Sequence, residues 1–178
     1  MESIIKELWH GNIIPQEDSR TNSKEMKELL GYLGYPVLAI EGWEADDILG
    51  TVSRLCEEQG WECVISTGDR DSLQLASDNT TIHLCTNKQD IRYTPEKIME
   101  DYGVTPKELI EVKAIQGDTS DNIPGVAGIG PKGATDLIVN FGSLDGVYEN
   151  IDSDKIKEGT RKKLIADREN AYLSRMLG

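Results

Sequence analysis

The sequence predicts an α/β region over residues 1–93 and an all-helical region over residues 94–178. In the first region, short apolar runs alternate with amphipathic helical patterns, an order typical of parallel βαβ units. After residue 93 no stretch of the sequence has strand character, and two Thr-Pro pairs mark helix starts. The predicted fold class is therefore α/β, with a mostly parallel sheet flanked by helices, followed by helices alone.

Each element of the α/β region is predicted from a local pattern. A helix capped by Ser23 should end near residue 34, and the apolar run at 36–40 should form a buried strand. A second helix is predicted over residues 44–60, because its apolar residues repeat at helical spacing. Residues 1–20 give no assignable element. The remaining predicted elements are strands over residues 62–66, 81–85 and 91–93 and a short helix over 71–76.

The helical region has clear start signals. Thr94-Pro95 and Thr105-Pro106 each place an N-cap threonine before a proline at the first helical position. Glu108 completes a capping box with Thr105. An apolar helical stripe follows at Ala134, Leu137, Ile138 and Phe141, and a last helix is predicted from about residue 160 to the end.

The composition argues against a membrane protein. No apolar run approaches the ~18 residues that a membrane span needs, and the first ten residues lack a secretory pattern. We therefore expect a soluble, cytoplasmic protein. The net charge of -13 argues at first against nucleic-acid binding, since such proteins usually carry a basic patch. Two interpretations stay open: a solvated acidic surface, or acids concentrated where metal ions neutralise them.

The cysteines indicate neither disulfides nor a zinc site. Cys56, Cys63 and Cys85 form no CxxC pair, and each lies among apolar neighbours, which predicts buried, reduced thiols. With two histidines and no Cys/His cluster, the pattern argues against zinc.

Acidic residues follow the predicted strands. In α/β folds, functional sites lie beyond the carboxyl ends of strands. Each group also has a structural explanation, because acids stabilise helix starts and cap turns. Seven carboxylates at one sheet edge would repel one another, and a pair of Mg²⁺ or Mn²⁺ ions, which prefer oxygen ligands, would remove that repulsion. The three groups are Glu44, Asp46 and Asp47; Asp69 and Asp71; and Asp118 and Asp121.

The stretch from Gly117 to Gly133 reads GDTSDNIPGVAGIGPKG and joins an acidic pair to a glycine-rich turn. Such a turn, when it opens a helix, can present backbone N–H groups to a phosphate. Lys132 follows the turn directly and is predicted to bind the same phosphate. A divalent metal beside a phosphodiester is the arrangement that metal-dependent nucleases use.

Other basic residues leave two roles open. Arg70 lies between Asp69 and Asp71, where it either balances their charge or contacts a scissile phosphate. The run at 161–163 (Arg-Lys-Lys) forms either an exposed helix end or a contact to a nucleic-acid backbone.

Three motifs occur in a fixed order: EADDILGT at 44–51, STGDRDSLQL at 66–75 and QGDTSDNIPGVAGIGPKGA at 116–134. They resemble those of the 5′-nuclease family, which includes the 5′-3′ exonuclease domain of bacterial DNA polymerase I and its phage and flap-endonuclease relatives. The resemblance runs from about Ser23 to the carboxyl end. It implies a PIN-like α/β domain, then a helix-three-turn-helix (helix-hairpin-helix) DNA-binding region. It also implies a two-metal phosphodiesterase that cuts 5′ flaps and nicked or gapped duplex ends.

The resemblance further implies roles for individual residues. Asp47, Asp69 and Asp71 would act in catalysis with Arg70, which falls where relatives often have lysine. The implied metal ligands, for two Mg²⁺ or Mn²⁺ ions, are Glu44, Asp46, Asp47, Asp69, Asp71, Asp118 and Asp121. The implied contacts to duplex DNA, with a K⁺ ion held by main-chain carbonyls, are Gly125, Val126, Gly128, Ile129, Gly130 and Lys132.

Some family features have no counterpart in the sequence. Relatives begin with a strand that carries an early metal-ligand aspartate, followed by a further aspartate and a basic helical arch, and no matching motif precedes Ser23. We therefore interpret the chain as a fragment, a truncated gene product, or one half of a split nuclease whose missing strand comes from a separate chain or domain. Two alternatives to an active nuclease stay open: a non-catalytic duplex-DNA-binding module with an incomplete metal site, and a PIN-type ribonuclease.

Overall fold

A computed structural model describes the backbone of residues 14–15, 24–87 and 90–178, with side chains over 27–87 and 90–178. The predicted Ser23 cap lies outside the described residues. The chain divides into two compact units, Met1–Ile65 and Ser66–Gly178. Each unit has an apolar core of its own.

The first unit combines a short parallel strand pair with helices. Its described elements are β1 (Ile14–Pro15), α1 (Lys24–Tyr32), β2 (Val37–Leu38) and α2 (Ala45–Gln59), with β1 and β2 paired in parallel. The Glu44 N–H donates to the Asp47 carboxylate at 3.1 Å and caps α2, which ends at Gly60 in the left-handed conformation (φ 68°). The apolar stripe of α2 packs into a small core with β2: Leu38, Ile40, Ile48, Val52 and Leu55.

A three-stranded sheet follows. The elements are β3 (Cys63–Thr67), a 3₁₀ helix (Asp71–Leu75), β4 (Thr80–Cys85) and β5 (Asp90–Tyr93), in the strand order β3–β4–β5. Strands β4 and β5 pair antiparallel, which their short connection allows, and Cys85 lies opposite Asp90. Ile82 and Leu84 are fully buried, whereas Cys85 is exposed.

The exposure of Cys85 corrects the prediction that all three thiols are buried. Cys56 and Cys63 are buried as expected. Side chains alternate between the two faces of a strand, so Cys85 takes the face opposite to its apolar neighbour Leu84.

The rest of the second unit is helical, as predicted. Its helices are α3 (Pro95–Tyr102), α4 (Glu108–Gln116), α5 (Pro131–Phe141), α6 (Leu144–Glu149), α7 (Glu158–Ala166) and α8 (Arg168–Leu177). Thr94 caps α3 by accepting the Lys97 N–H at 3.3 Å, and the Thr105 N–H donates to Glu108 at 2.7 Å. The helices enclose a core with fully buried Ile115, Ile138 and Leu164. Within the described ranges, no helix is long and apolar enough to cross a membrane.

Candidate metal centre and adjoining hairpin

Three aspartates of the second unit meet at one point. Asp71, Asp118 and Asp121 each offer a carboxylate oxygen, and these oxygens lie within 4.8 Å of one another. Asp71 is the first residue of the 3₁₀ helix after β3. Asp118 and Asp121 share the loop after α4, which is closed by two backbone hydrogen bonds between Asp118 and Ile123 at 2.9 and 2.7 Å. The sequence predicted all three as metal ligands, and the structure brings them together.

Lys113 of α4 places its ammonium group among these carboxylates. Its Nζ lies 2.6 Å from Asp71 Oδ2, 3.0 Å from Asp121 Oδ2 and 3.6 Å from Asp118 Oδ2. The Lys113 side chain is only 14% exposed. No motif of the sequence pointed to Lys113. The available signal was a single lysine in the otherwise apolar segment of residues 112–115, because a largely buried ammonium needs a carboxylate partner.

One ammonium does not satisfy three carboxylates. Burial raises the pKa of Asp71 above its ordinary value, and the hydrogen bond from Lys113 only partly opposes this. Burial alone would lower the pKa of Lys113, but its hydrogen bonds to Asp71 and Asp121 outweigh that effect, so its pKa is raised. The pKa of Asp118 is lowered, because its carboxylate accepts hydrogen bonds from the hydroxyl and the backbone N–H of Ser120.

The donor set fits a hard divalent cation. All three groups are carboxylates, and Mg²⁺ and Mn²⁺ prefer such oxygen ligands. The site already attracts the Lys113 ammonium, and three carboxylates against one lysine leave an excess of negative charge. Asp71, Asp118 and Asp121 are therefore the residues of this unit that would hold such an ion.

The other predicted acids have different local roles. Asp69 lies outside the three-carboxylate group, and its Oδ1 accepts the Asp71 N–H at 2.9 Å. This hydrogen bond fixes the start of the 3₁₀ helix and thereby positions Asp71. Glu44, Asp46 and Asp47 belong to the first unit, at the start of α2. Among the described residues of that unit, they form no metal-ligand group of three. The convergence of all seven acids on one edge stays a prediction.

A pocket of about 350 Å³ adjoins the carboxylates. Arg70, Asp71, Lys113 and Asp118 line one part of it, and apolar residues of α3 and α4 line another. Arg70 therefore lies at the same pocket as two of the candidate metal ligands. Its predicted contact with a phosphate stays a prediction.

The glycine-rich stretch forms a hairpin that packs closely against the helices and is held there by hydrogen bonds. Gly125 has φ 62°, and a Cβ built on it would lie 2.4 Å from the backbone nitrogen of Gly117. The N–H of Gly125 donates to the buried Ser174 Oγ at 2.8 Å, and the N–H of Val126 donates to the Ile115 carbonyl at 2.7 Å. Only glycine allows this close approach of two backbone segments.

The predicted DNA contacts divide into two groups. Val126 and Ile129 are 2% and 7% exposed and belong to the helical core, so their side chains anchor the hairpin. Gly128, Gly130 and Lys132 are exposed. Gly130 precedes α5, whose first turn has backbone N–H groups without helical partners. These exposed residues are the part of the hairpin that a phosphate could reach.

The three basic residues at 161–163 contact different partners. Arg161 donates to the carbonyls of Ile151 at 2.7 Å and Ser153 at 3.1 Å, which is a structural role. Lys162 pairs with Glu158 one helical turn away at 2.7 Å. Lys163 donates to the Gly128 carbonyl at 2.8 Å and so places a positive charge on the hairpin itself.

Both parts of the chain match profiles of one family. The profile described as 5′-3′ exonuclease, N-terminal resolvase-like domain, matches residues 14–103, and that described as 5′-3′ exonuclease, C-terminal SAM fold, matches residues 104–178. DNA polymerase I of Caldicellulosiruptor bescii is 41% identical over 176 residues, which cover 96% of this chain and 20% of that protein. DNA polymerase I of Streptococcus pneumoniae R6 is 40% identical over 156 residues, which cover 85% of this chain and 17% of that protein.

Solved structures share the fold. A structure of T5 5′-exonuclease with bound zinc has a TM-score of 0.75 and 21% identity, covering 99% of this chain and 77% of that one. A T5 flap endonuclease in a complex with DNA and metal ions has a TM-score of 0.71 and 22% identity, covering 99% and 76%. The catalytic core of Rad2 with a DNA substrate has a TM-score of 0.59 and 22% identity, covering 90% and 56%.

A resolvase-like α/β region joined to a SAM-like helical region defines a nuclease fold, and the acidic cluster lies within it. The chain belongs to the 5′-3′ exonuclease family, which confirms the resemblance predicted from its motifs. It spans only 17% to 20% of the length of the two DNA polymerase I relatives named above.

Proposed function

We propose that this chain acts as a Mg²⁺-dependent, structure-specific 5′ nuclease on duplex DNA with a 5′ flap, nick or gap, in replication or repair. The main support for this proposal is that the acidic loop and the glycine-rich hairpin follow each other directly along the chain. Asp118 and Asp121 occupy the loop that leads directly into the anchored hairpin at Gly125. The residues that would hold a phosphodiester and two of the carboxylates that would bind the metal thus lie on the same short segment of the chain.

The acids have distinct proposed roles. Asp71, Asp118 and Asp121 hold one divalent ion, and Asp69 positions Asp71 through the hydrogen bond at 2.9 Å. When bound, Mg²⁺ or Mn²⁺ lowers the pKa of a water molecule and stabilises charge on a leaving oxygen. In this proposal, the acids of the first unit are ligands of a second ion: Glu44, Asp46 and Asp47.

The hairpin has the proposed role of gripping the duplex through its backbone, without reading bases. Lys132 and the N–H groups at the start of α5 are exposed and suit phosphate oxygens. The Gly128 carbonyl accepts a hydrogen bond from the Lys163 ammonium and is a candidate ligand for a K⁺ ion.

The nuclease proposal is tested with a labelled 5′-flap duplex, incubated with Mg²⁺ and then with EDTA. Cleavage should require the metal, and Asp118→Asn and Asp121→Asn should reduce it strongly. Asp154→Asn changes an exposed loop acid of the same unit and should cut like the wild type. Metal-independent cutting, or equal cutting by all variants, would contradict the proposal. Parallel reactions on RNA address the PIN-type ribonuclease, which the hairpin disfavours because that element suits duplex DNA.

A second candidate function is a non-catalytic module that binds duplex DNA. The favouring observation is Lys113, which partly neutralises the three carboxylates, so the fold does not depend on a bound metal. This function predicts duplex binding without cleavage. In either case, Lys132→Ala should weaken binding to all sequences and reduce the salt slope by about 1. Lys155→Ala, an exposed lysine in a loop, is the matched control.

A further inference from the structure

A second cluster of metal-ligand side chains lies on the outer face of the β3–β4–β5 sheet. His83 and Cys85 are two residues apart on β4 and therefore share a face. Asp90 lies directly opposite Cys85 on β5. One ligand atom from each of these side chains lies within 4.8 Å of the other two. The sequence places only His83 and Cys85 near each other, and the antiparallel register of the two strands adds Asp90.

The three donor atoms converge on a common point. His83 Nε2 lies 2.5 Å from Asp90 Oδ1 and 3.4 Å from Cys85 Sγ. The same ring nitrogen thus faces both partners. A nucleophile–base–acid relay would use one ring nitrogen for the thiol and the other for the carboxylate. Convergence on a single nitrogen is instead what ligands around one ion show.

The spacing of the donors suits tetrahedral zinc. With bonds of about 2.0 Å to nitrogen and 2.3 Å to sulfur, a tetrahedral ion holds the two atoms about 3.5 Å apart. The observed separation between His83 Nε2 and Cys85 Sγ is 3.4 Å. Asp90 must move away from His83 to make room for an ion, and its side chain is 79% exposed, so solvent offers that room.

The chemistry of this cluster differs from that of the three aspartates. A thiolate and an imidazole select zinc and other borderline or soft ions, whereas carboxylates alone suit Mg²⁺ and Mn²⁺. Ser66 Oγ on β3 lies 3.6 Å from Cys85 Sγ and adds a polar neighbour to the thiol. We propose that His83, Cys85 and Asp90 form a zinc site with three protein ligands, leaving the fourth position to water. This proposal does not rest on the nuclease function, because it uses none of the proposed nuclease residues.

The exposed thiol provides a direct readout. Cys85 is exposed, whereas Cys56 and Cys63 are buried, so a thiol reagent added to the native protein should modify one cysteine. Free Zn²⁺ at ten times its Kd should slow that reaction roughly 10-fold, because only the fraction of the chain without bound zinc still has a free thiolate. Excess Mg²⁺ should not slow it. His83→Asn should remove most of the protection while leaving the thiol exposed.

Co²⁺ serves as a spectroscopic probe of the same ligands. The wild-type chain should show thiolate-to-cobalt charge-transfer absorption, and Cys85→Ser should lose it. Asp118→Asn, which alters the carboxylate cluster, should keep it. Far-ultraviolet circular dichroism checks that each variant is folded. Absence of the absorption in a folded wild type, its persistence in Cys85→Ser, or its loss in Asp118→Asn alone would overturn the proposal.

Discussion

Replacing Lys113 with methionine should destabilise the protein in the absence of divalent metal and make its stability depend strongly on added Mg²⁺. Methionine keeps an unbranched, apolar side chain in α4 but removes the ammonium group. Asp71, Asp118 and Asp121 would then repel one another without the cation that now lies 2.6 to 3.6 Å from their oxygens. A bound dication would take over its electrostatic role.

The size of the effect follows from the exposure of the partners. Breaking a fully buried ion pair costs about 3–5 kcal/mol, whereas an exposed pair contributes about 0–1 kcal/mol. Lys113 is 14% exposed, but Asp71 and Asp121 are 36% and 50% exposed, so solvent screens part of the repulsion. We expect a loss of about 2 kcal/mol, or roughly 4–8 °C in melting temperature for a chain of this size. Mg²⁺ at 100 times its Kd would contribute about 2.7 kcal/mol and restore the loss.

Thermal melts in EDTA and across a Mg²⁺ series test this expectation. Lys97→Met is the matched control, because Lys97 also contacts two carboxylates, Glu100 and Asp101, but on an exposed helix surface. The control should melt like the wild type in both conditions. Equal destabilisation of Lys113→Met with and without Mg²⁺ would show that the lysine acts through packing alone. Unchanged stability in EDTA would refute the electrostatic reasoning.

Three further predictions concern the hairpin and the helical region. Gly125→Ala should lower the free energy of unfolding by at least about 3 kcal/mol, because a Cβ at this φ of 62° would lie 2.4 Å from a backbone nitrogen. Gly130→Ala is the control, since its Cβ would meet open space and should be tolerated. Urea unfolding of the two variants compares their stabilities. Ser174→Ala should cost about 1–3 kcal/mol in the same assay, because the buried Gly125 N–H loses its acceptor, and an unchanged midpoint would contradict this. The hydrogen bond from Arg175 lowers the pKa of Asp145 below its ordinary value of 3.8, so the folded protein binds this proton less readily than the unfolded chain. The stability contributed by Asp145 is therefore present above pH 3.8 and lost as the pH falls through its folded pKa, and melts of Asp145→Asn should show a weaker acid-side decline than the wild type.

Local patterns predicted the elements of the fold well, because caps and periodicity act over a few residues. Thr94 caps α3 as its Thr-Pro pair indicated. The prediction that Pro106 opens the next helix was wrong, because α4 begins at Glu108 with Lys107 at the N-cap position, although Thr105 and Glu108 form the predicted hydrogen bond. Helix α2 ends at Gly60, where the left-handed conformation favours glycine. The domain division at residue 93 stays a prediction. The antiparallel pairing of β4 with β5 was not predicted, since the order of strands along a chain does not specify their direction of pairing.

Within the candidate site, the sequence identified the acids but not what surrounds them. Asp71, Asp118 and Asp121 were all predicted as metal ligands from their motifs, and the structure groups them. Lys113 was not predicted as part of the site, because it lies 42 residues from Asp71 and belongs to no acidic motif. Val126 was predicted as a DNA contact from its place in the motif, but its side chain faces the core.

Contiguous motifs were enough to identify the family, the helical character of the second half and the aspartates of the candidate metal centre. Tertiary structure alone decided that an ammonium group neutralises part of the acidic cluster, and that His83, Cys85 and Asp90 meet on one sheet face. These contacts depend on strand register and on the angle at which a helix packs. The first contact joins Lys113 to Asp71, which is 42 residues away, and the second depends on the register of the β4–β5 pair. Local propensity specifies neither, because packing and register are set by which apolar faces become buried.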